Sequence, residues 1–170
     1  MILLGLGSNL PSKYGDRFQN IDMALLRLED HGIKIIKKSS YFETPSYPNK
    51  KDPKFINIVA QIESGINAEK LASILVSIEE SLDRKRNKKN DPRTCDIDIL
   101  DFNGQILSFE CNGLKFVVPH ERLIYRNFVL YPIKEIAPKW IHPQTKDSIM
   151  FLIEKLSTED KKSILKINKP

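Results

Sequence analysis

Two carboxylates two residues apart, Asp96 and Asp98, stand in the run Asp91-Pro92-Arg93-Thr94-Cys95-Asp96-Ile97-Asp98-Ile99. The apolar, β-branched character of residues 94–102 predicts a strand, and on a strand alternate side chains leave the same face. Both carboxylates therefore project together, while Cys95, Ile97 and Ile99 turn toward a core. Like charges so close repel unless a cation compensates them. Magnesium meets that need, because it takes one or two carboxylates and fills its remaining positions with water and phosphate oxygens. Taken alone, an Asp-x-Asp pair is more often the solvated face of a half-buried strand.

The neighbours favour chemistry. Arg84, Arg86 and Arg93 flank the pair, and a guanidinium keeps its charge and clamps phosphate through two parallel bonds. Cations beside a metal-binding carboxylate pair point to a polyphosphate. Lys85, Lys88 and Lys89 read individually as solvated, although a basic loop over residues 84–89 is also suited to close over a nucleotide and exclude water. His120, after Val117-Val118-Pro119, and Arg126, six residues on, are placed to reach a phosphate chain bound at a neighbouring strand, although a lone histidine is more often structural. Phe55, Asn57 and Phe128 supply two rings and an amide, the set that stacks a flat heterocycle and reads its edge; each by itself would read as core or surface. Glu79 is either an outer acid of the site or solvated. Gly5-Leu6-Gly7-Ser8-Asn9-Leu10 begins like a dinucleotide loop, but Leu10 replaces the third glycine and no Walker lysine exists, so any ATP site is of another kind.

These residues need elements to hold them. Residues 2–6 read as a strand, and Phe18, Ile21, Ala24, Leu25 and Leu28 recur at helical spacing up to Gly32. Residues 33–44 read as one strand closed by Pro45, and residues 55–63 as another with Ile56, Ile58, Ala60 and Ile62 toward the core. Asn67 is the expected N-cap of a second helix with Leu71, Ile74, Leu75, Ile78 and Leu82 buried. Asn103-Gly104 predicts a hairpin from residues 94–102 into 105–109, residues 115–118 a further strand, and 128–136 and 148–156 two helices. The order is that of the split βαβ pattern, so the expected class is α+β, a ferredoxin-like sandwich with a mainly antiparallel sheet. One domain over 1–157 and a frayed, lysine-rich tail over 158–170 are expected. The 170 residues carry a net charge of +5, which favours anionic partners without requiring nucleic acid. Cys95 and Cys111 match no disulfide or zinc pattern, and no apolar run approaches the roughly 20 residues of a membrane span. A reducing cytoplasm is the expected location.

Taken in order, Gly7-Ser8-Asn9-Leu10, Ser39-Ser40-Tyr41-Phe42-Glu43-Thr44-Pro45, Phe55-Ile56-Asn57, Ile78-Glu79, Pro92-Arg93-Thr94-Cys95-Asp96-Ile97-Asp98-Ile99, Val118-Pro119-His120 and Arg126-Asn127-Phe128 resemble the 6-hydroxymethyl-7,8-dihydropterin pyrophosphokinases of folate biosynthesis. The likeness runs over residues 2–157. It implies a three-layer αβα arrangement and transfer of pyrophosphate from ATP to the pterin hydroxymethyl group, giving AMP and the pterin diphosphate. It further implies two Mg²⁺ at Asp96 and Asp98, phosphate contacts from Arg84, Arg93, His120 and Arg126, and Lys115 near the nucleotide. Asn57 would bond the pterin between Phe55 and Phe128, with Thr44 and Pro45 lining that side. ATP and the pterin are the expected partners of a monomer that engages neither nucleic acid nor membrane. The chain departs from the family pattern at Asp83 and Asp91, where glycine is usual, and at Asn90 and Val76. A basic RNA-binding module of ferredoxin-like fold and a catalytically impaired relative of the family are the alternative readings.

Overall fold

The computed structural model describes residues 1–86 and 91–170. In chain order they form β1 (Ile2–Ser8), α1 (Arg17–Asp30), β2 (Lys34–Lys38), β3 (Tyr41–Thr44), β4 (Phe55–Glu63), α2 (Ala68–Ser81), β5 (Asp96–Phe102), β6 (Leu107–Cys111), β7 (Leu114–Val118), α3 (Asn127–Ile136), α4 (Ile149–Glu154), α5 (Thr158–Lys162) and β8 (Leu165–Ile167). The main sheet is ordered β5-β1-β4-β3-β8, with β2 also beside β4, and all of its pairings are antiparallel. The expected ferredoxin-like order is present.

Both helices of the split βαβ unit form where sequence patterning puts them. Asp16 caps α1 in a reciprocal box with Gln19, and Asn67 caps α2 by accepting the Lys70 N–H at 2.9 Å. Their apolar stripes pack with Leu4, Leu6, Ile56, Ile58 and Ile97 on one face of the sheet. A fully buried leucine or isoleucine such as Leu71 or Ile78 contributes about 2 kcal/mol. The opposite face is covered too: Leu3, Val59 and Leu100 pack against α3 and α4. Three layers result, so β1 and β4 are buried along most of their length. Pro132 lies inside α3, where its missing N–H costs the helix one bond, yet the buried neighbours Val129, Leu130 and Ile133 hold the helix through it. No helix among the described residues is long and apolar enough to cross a membrane.

The end of α2 bears directly on Arg84. The Arg84 N–H donates to the Glu79 carbonyl at 3.2 Å and the Asp83 N–H to the Glu80 carbonyl at 3.1 Å, the two bonds of a Schellman ending. That ending needs a left-handed residue, and Asp83 supplies it with φ 64, a conformation aspartate tolerates better than most residues. Its carboxylate also pairs with Lys13 at 3.3 Å. Asp83→Ala is therefore expected to lower the thermal midpoint by about 3 °C while Asp83→Gly keeps it at or above wild type; equal midpoints for alanine and wild type in a melting series would exclude strain at this position.

Three expectations change. Residues 33–44 are two strands, not one, because the ladder to β4 is interrupted at Ser39, whose hydroxyl accepts the Val59 N–H at 3.0 Å. The Asn103-Gly104 turn forms, with both residues at positive φ, but β6 pairs with β7 instead of β5. The hairpin turn is Asn112-Gly113, also at positive φ, and stacking of Phe109 on Phe116 at 5.4 Å supports that pairing. The segment from Ser157 does not fray: β8 pairs with β3. The alternative RNA reading is not favoured, since α3 and α4 cover the sheet face that RNA-binding modules of this topology keep open for base stacking.

Candidate active site

Register sets the floor of the site. Gly7 in β1 lies opposite Asp96 in β5 on one side and Asn57 in β4 on the other, and Gly5 lies opposite Asp98. Asp96 and Asn57 are thus two strand spacings apart, roughly 10 Å, with glycine between them. A β-carbon on Gly7 would come within 2.9 Å of Asn57 Oδ1. The Gly-x-Gly pair is no phosphate loop; it keeps the floor clear between a carboxylate pair and an amide.

Around the carboxylates the arginines converge. Arg84 Nη1 bonds Asp96 Oδ1 and the Cys95 carbonyl, the latter at 3.0 Å, and Arg93 Nη1 reaches Asp96 Oδ2 at 3.2 Å. Arg126 Nη1 lies 3.3 Å from Asp98 Oδ2. The recessed position of Asp96 raises its pKa, but Arg84 and Arg93 outweigh that and hold it below the usual carboxylate range. Asp98 moves the other way, pushed up by its recessed position and then by the Asp96 charge. Such a split is what two adjacent carboxylates show when one has the better counterions.

Behind them, Glu79 is buried, at 3% exposure, so it is not a solvated acid. Its Oε1 accepts from Arg84 Nη1 and from the Ile97 N–H, both at 2.6 Å, and its Oε2 pairs with Arg86. Burial first, and the Asp96 charge second, raise its pKa against the pull of both arginines. The sequence held a signal for this. Glu79 follows Leu75 by four positions and precedes Leu82 by three, so it sits on the buried stripe itself.

Two cavities meet at the pair. The larger, 490 Å³, is lined by Thr44, Pro45, Phe55, Asn57 and Phe128 together with Asp96 and Asp98. In it Asn57 Nδ2 donates to Thr44 Oγ1 at 3.1 Å, while Arg93 lies 5.4 Å from the Phe55 ring and Arg126 5.5 Å from the Phe128 ring. The smaller, 190 Å³, is lined by Val76, Arg86, Lys115 and His120 and by the same two aspartates. His120 Nδ1 accepts the Arg122 N–H at 3.0 Å, which leaves Nε2 as the protonated nitrogen of the neutral ring. Burial pulls its pKa down against the pull of Asp98. Every site residue named from the sequence lines one of these cavities or bonds to Asp96 or Asp98. Lys88, Lys89 and Asn90 of the basic loop lie outside the described residues.

Asn9 was quoted above only as part of a motif. Its Oδ1 accepts the Arg93 N–H at 2.7 Å, its N–H donates to the Arg93 carbonyl at 3.0 Å, and its Nδ2 donates to the Ser46 hydroxyl and the Pro53 carbonyl. One amide thereby ties Arg93 to the loop after Thr44.

A family model described as 7,8-dihydro-6-hydroxymethylpterin-pyrophosphokinase (HPPK) matches residues 3–138. The chain belongs to this family. Among HPPK relatives, the 2-amino-4-hydroxy-6-hydroxymethyldihydropteridine pyrophosphokinase of Aquifex aeolicus (strain VF5) is 34% identical over 142 residues, 84% of this chain and 83% of the relative. A folic acid synthesis protein of Pneumocystis carinii is 32% identical over 164 residues, 96% of this chain and 21% of that protein. A Dictyostelium discoideum counterpart gives 33% over 143 residues, 84% of this chain and 20% of its own length, so the chain spans about a fifth of these two relatives. The HPPK fold is shared with a crystal structure of Plasmodium falciparum HPPK-DHPS with pterin and p-hydroxybenzoate, at a TM-score of 0.73 and 16% identity over 99% of this chain and 47% of that one.

Proposed function

We propose that this HPPK-family chain transfers the pyrophosphoryl group of ATP to the hydroxymethyl oxygen of 6-hydroxymethyl-7,8-dihydropterin, releasing AMP. The observation that carries the reading is that Asp96 and Asp98 are shared by both cavities. One cavity has the rings and amide for a flat heterocycle, the other has Lys115, Arg86 and His120 for a nucleotide's phosphates. The reacting atoms would then meet at the carboxylates.

The donor set fits magnesium. No group of three or more His, Cys, Asp or Glu side chains that could hold a metal occurs among the described residues, so a dedicated protein cage is not what the site offers. Two aspartates opening onto phosphate subsites match an ion that keeps water and substrate oxygens in its shell. Two Mg²⁺ held by Asp96 and Asp98 would polarise the phosphoryl oxygens and offset their charge. The protein's own groups then position. Arg84, Arg93 and Arg126, now on the carboxylates, would turn to phosphate oxygens, and His120 would offer Nε2–H. Phe55 and Phe128 flank the pterin ring and Asn57 reads its edge. The substrate hydroxyl is the nucleophile: its bond to the β-phosphorus forms as that to the α,β-bridging oxygen breaks, AMP carries off that oxygen, and the hydroxyl proton is released. Such a loose transfer asks for placement and charge stabilisation, not covalent help.

Incubation with ATP, Mg²⁺ and the reduced hydroxymethylpterin is expected to yield AMP one-for-one with the pterin diphosphate. ADP as product, or no nucleotide product from folded protein, would overturn the assignment and favour the impaired alternative or another donor chemistry.

A further inference from the structure

The start of α3 presents both Arg126 and Phe128, yet its N-cap residue, Arg126, makes no side-chain capping bond because its guanidinium is drawn to Asp98. Asn127 substitutes for it. Asn127 Oδ1 accepts the Phe128 N–H at 2.6 Å, and its Nδ2 donates to the Asp160 carbonyl at 2.7 Å and to Ser163 Oγ at 3.0 Å. The residue is 7% exposed, so each of these bonds replaces water that cannot reach it.

The other end of those bonds is the segment beyond the family match, which stops at residue 138. Glu159, Asp160 and Ser163 line the larger cavity. Glu159 pairs with Lys50 at 2.7 Å, on the loop that follows Pro45, and β8 is fixed to β3, the strand ending at Thr44. The segment thus touches Asn127 on one side of the cavity and Lys50 and β3 on the other.

We infer that residues 157–167 form a working wall of the heterocycle cavity and that Asn127 is a positioning residue, bolting Phe128 to that wall so that its ring faces Phe55 across a fixed gap. This rests on the pyrophosphokinase reading. A residue serving only the general fold would affect both substrates alike; the wall predicts an effect confined to the pterin.

The test uses the whole chain. With Mg²⁺ and a non-hydrolysable ATP analogue present, Asn127→Ala is expected to raise the pterin Kd, read by pterin fluorescence, about tenfold, and Ser163→Ala about threefold. Ser163→Thr keeps the hydroxyl and is expected to restore the wild-type value. The pterin KM rises with kcat and the ATP KM nearly unchanged. Equal losses for both substrates, or an unchanged pterin Kd in folded Ser163→Ala, would overturn the inference; should Asn127→Ala lose its fold, the two Ser163 variants decide. If wild-type protein neither binds pterin nor forms AMP, the pyrophosphokinase reading itself falls. If it does both and the variants match it, only the wall falls.

Discussion

Replacing Asp96 or Asp98 with alanine is expected to lower AMP formation by at least about a thousandfold while the protein stays folded. Each carboxylate lies at the junction of both cavities, so its loss removes charge from the point where the donor and acceptor meet. The fold has less stake in Asp98 than in Asp96, whose charge Arg84 and Arg93 favour. Their side chains are about a third exposed, and the upward shift of Asp98 shows that its charge is already disfavoured in place. Asp98→Asn should therefore melt no lower than wild type and still fail to turn over, because an amide retains the shape but not the charge that would hold magnesium. Turnover within tenfold of wild type in either alanine variant, measured with saturating ATP and pterin, would sink the metal assignment.

Glu79→Ala has the largest expected effect on stability, about 3 kcal/mol. The truncation strips Arg84 of one of its two carboxylates, leaves the Ile97 N–H without an acceptor and opens a gap between α2 and β5. Arg86 is partly exposed and can turn to water, so the cost falls short of stranding two buried cations. Glu79→Gln keeps the size and the acceptor for Ile97, and the raised pKa of Glu79 means that a neutral isostere is tolerated better than truncation. Urea unfolding should show a lowered midpoint for alanine with an unchanged slope and a smaller change for glutamine. A loss under about 0.5 kcal/mol for alanine would mean that the buried carboxylate is not a support of the site.

Short-range geometry made the carboxylate pair and the buried faces legible, while Thr44, Pro45 and Lys115 entered only with the family likeness. The two-residue period of a strand put Asp96 with Asp98, and the helical period found the buried faces of α1 and α2. Pairing partners are a different matter. Asn103-Gly104 announces a reversal, but a turn's chemistry does not say which strand the chain will meet next, and the packing of Phe109 against Phe116 sends β6 to β7. Asn9 and Asn127 were opaque for the same reason. Their partners lie at Arg93 and Pro53 in one case and at Asp160 and Ser163 in the other, separations across which no local rule operates. The order of motifs, not any one of them, carried the family likeness and with it the expectation of three layers, which α3 and α4 complete on the second face.

The site neutralises itself before any substrate arrives, with Arg84 and Arg93 on Asp96 and Arg126 on Asp98. A bare metal ion would have to displace those arginines and strand them; a bare polyphosphate would draw them off and strand the aspartates. A metal-nucleotide complex exchanges both partners at once, cation to carboxylate and anion to guanidinium. Under the proposed function, metal and nucleotide would strengthen each other's binding by the same factor, and the resting ion pairs would act as a filter that admits the loaded nucleotide and discounts either half alone.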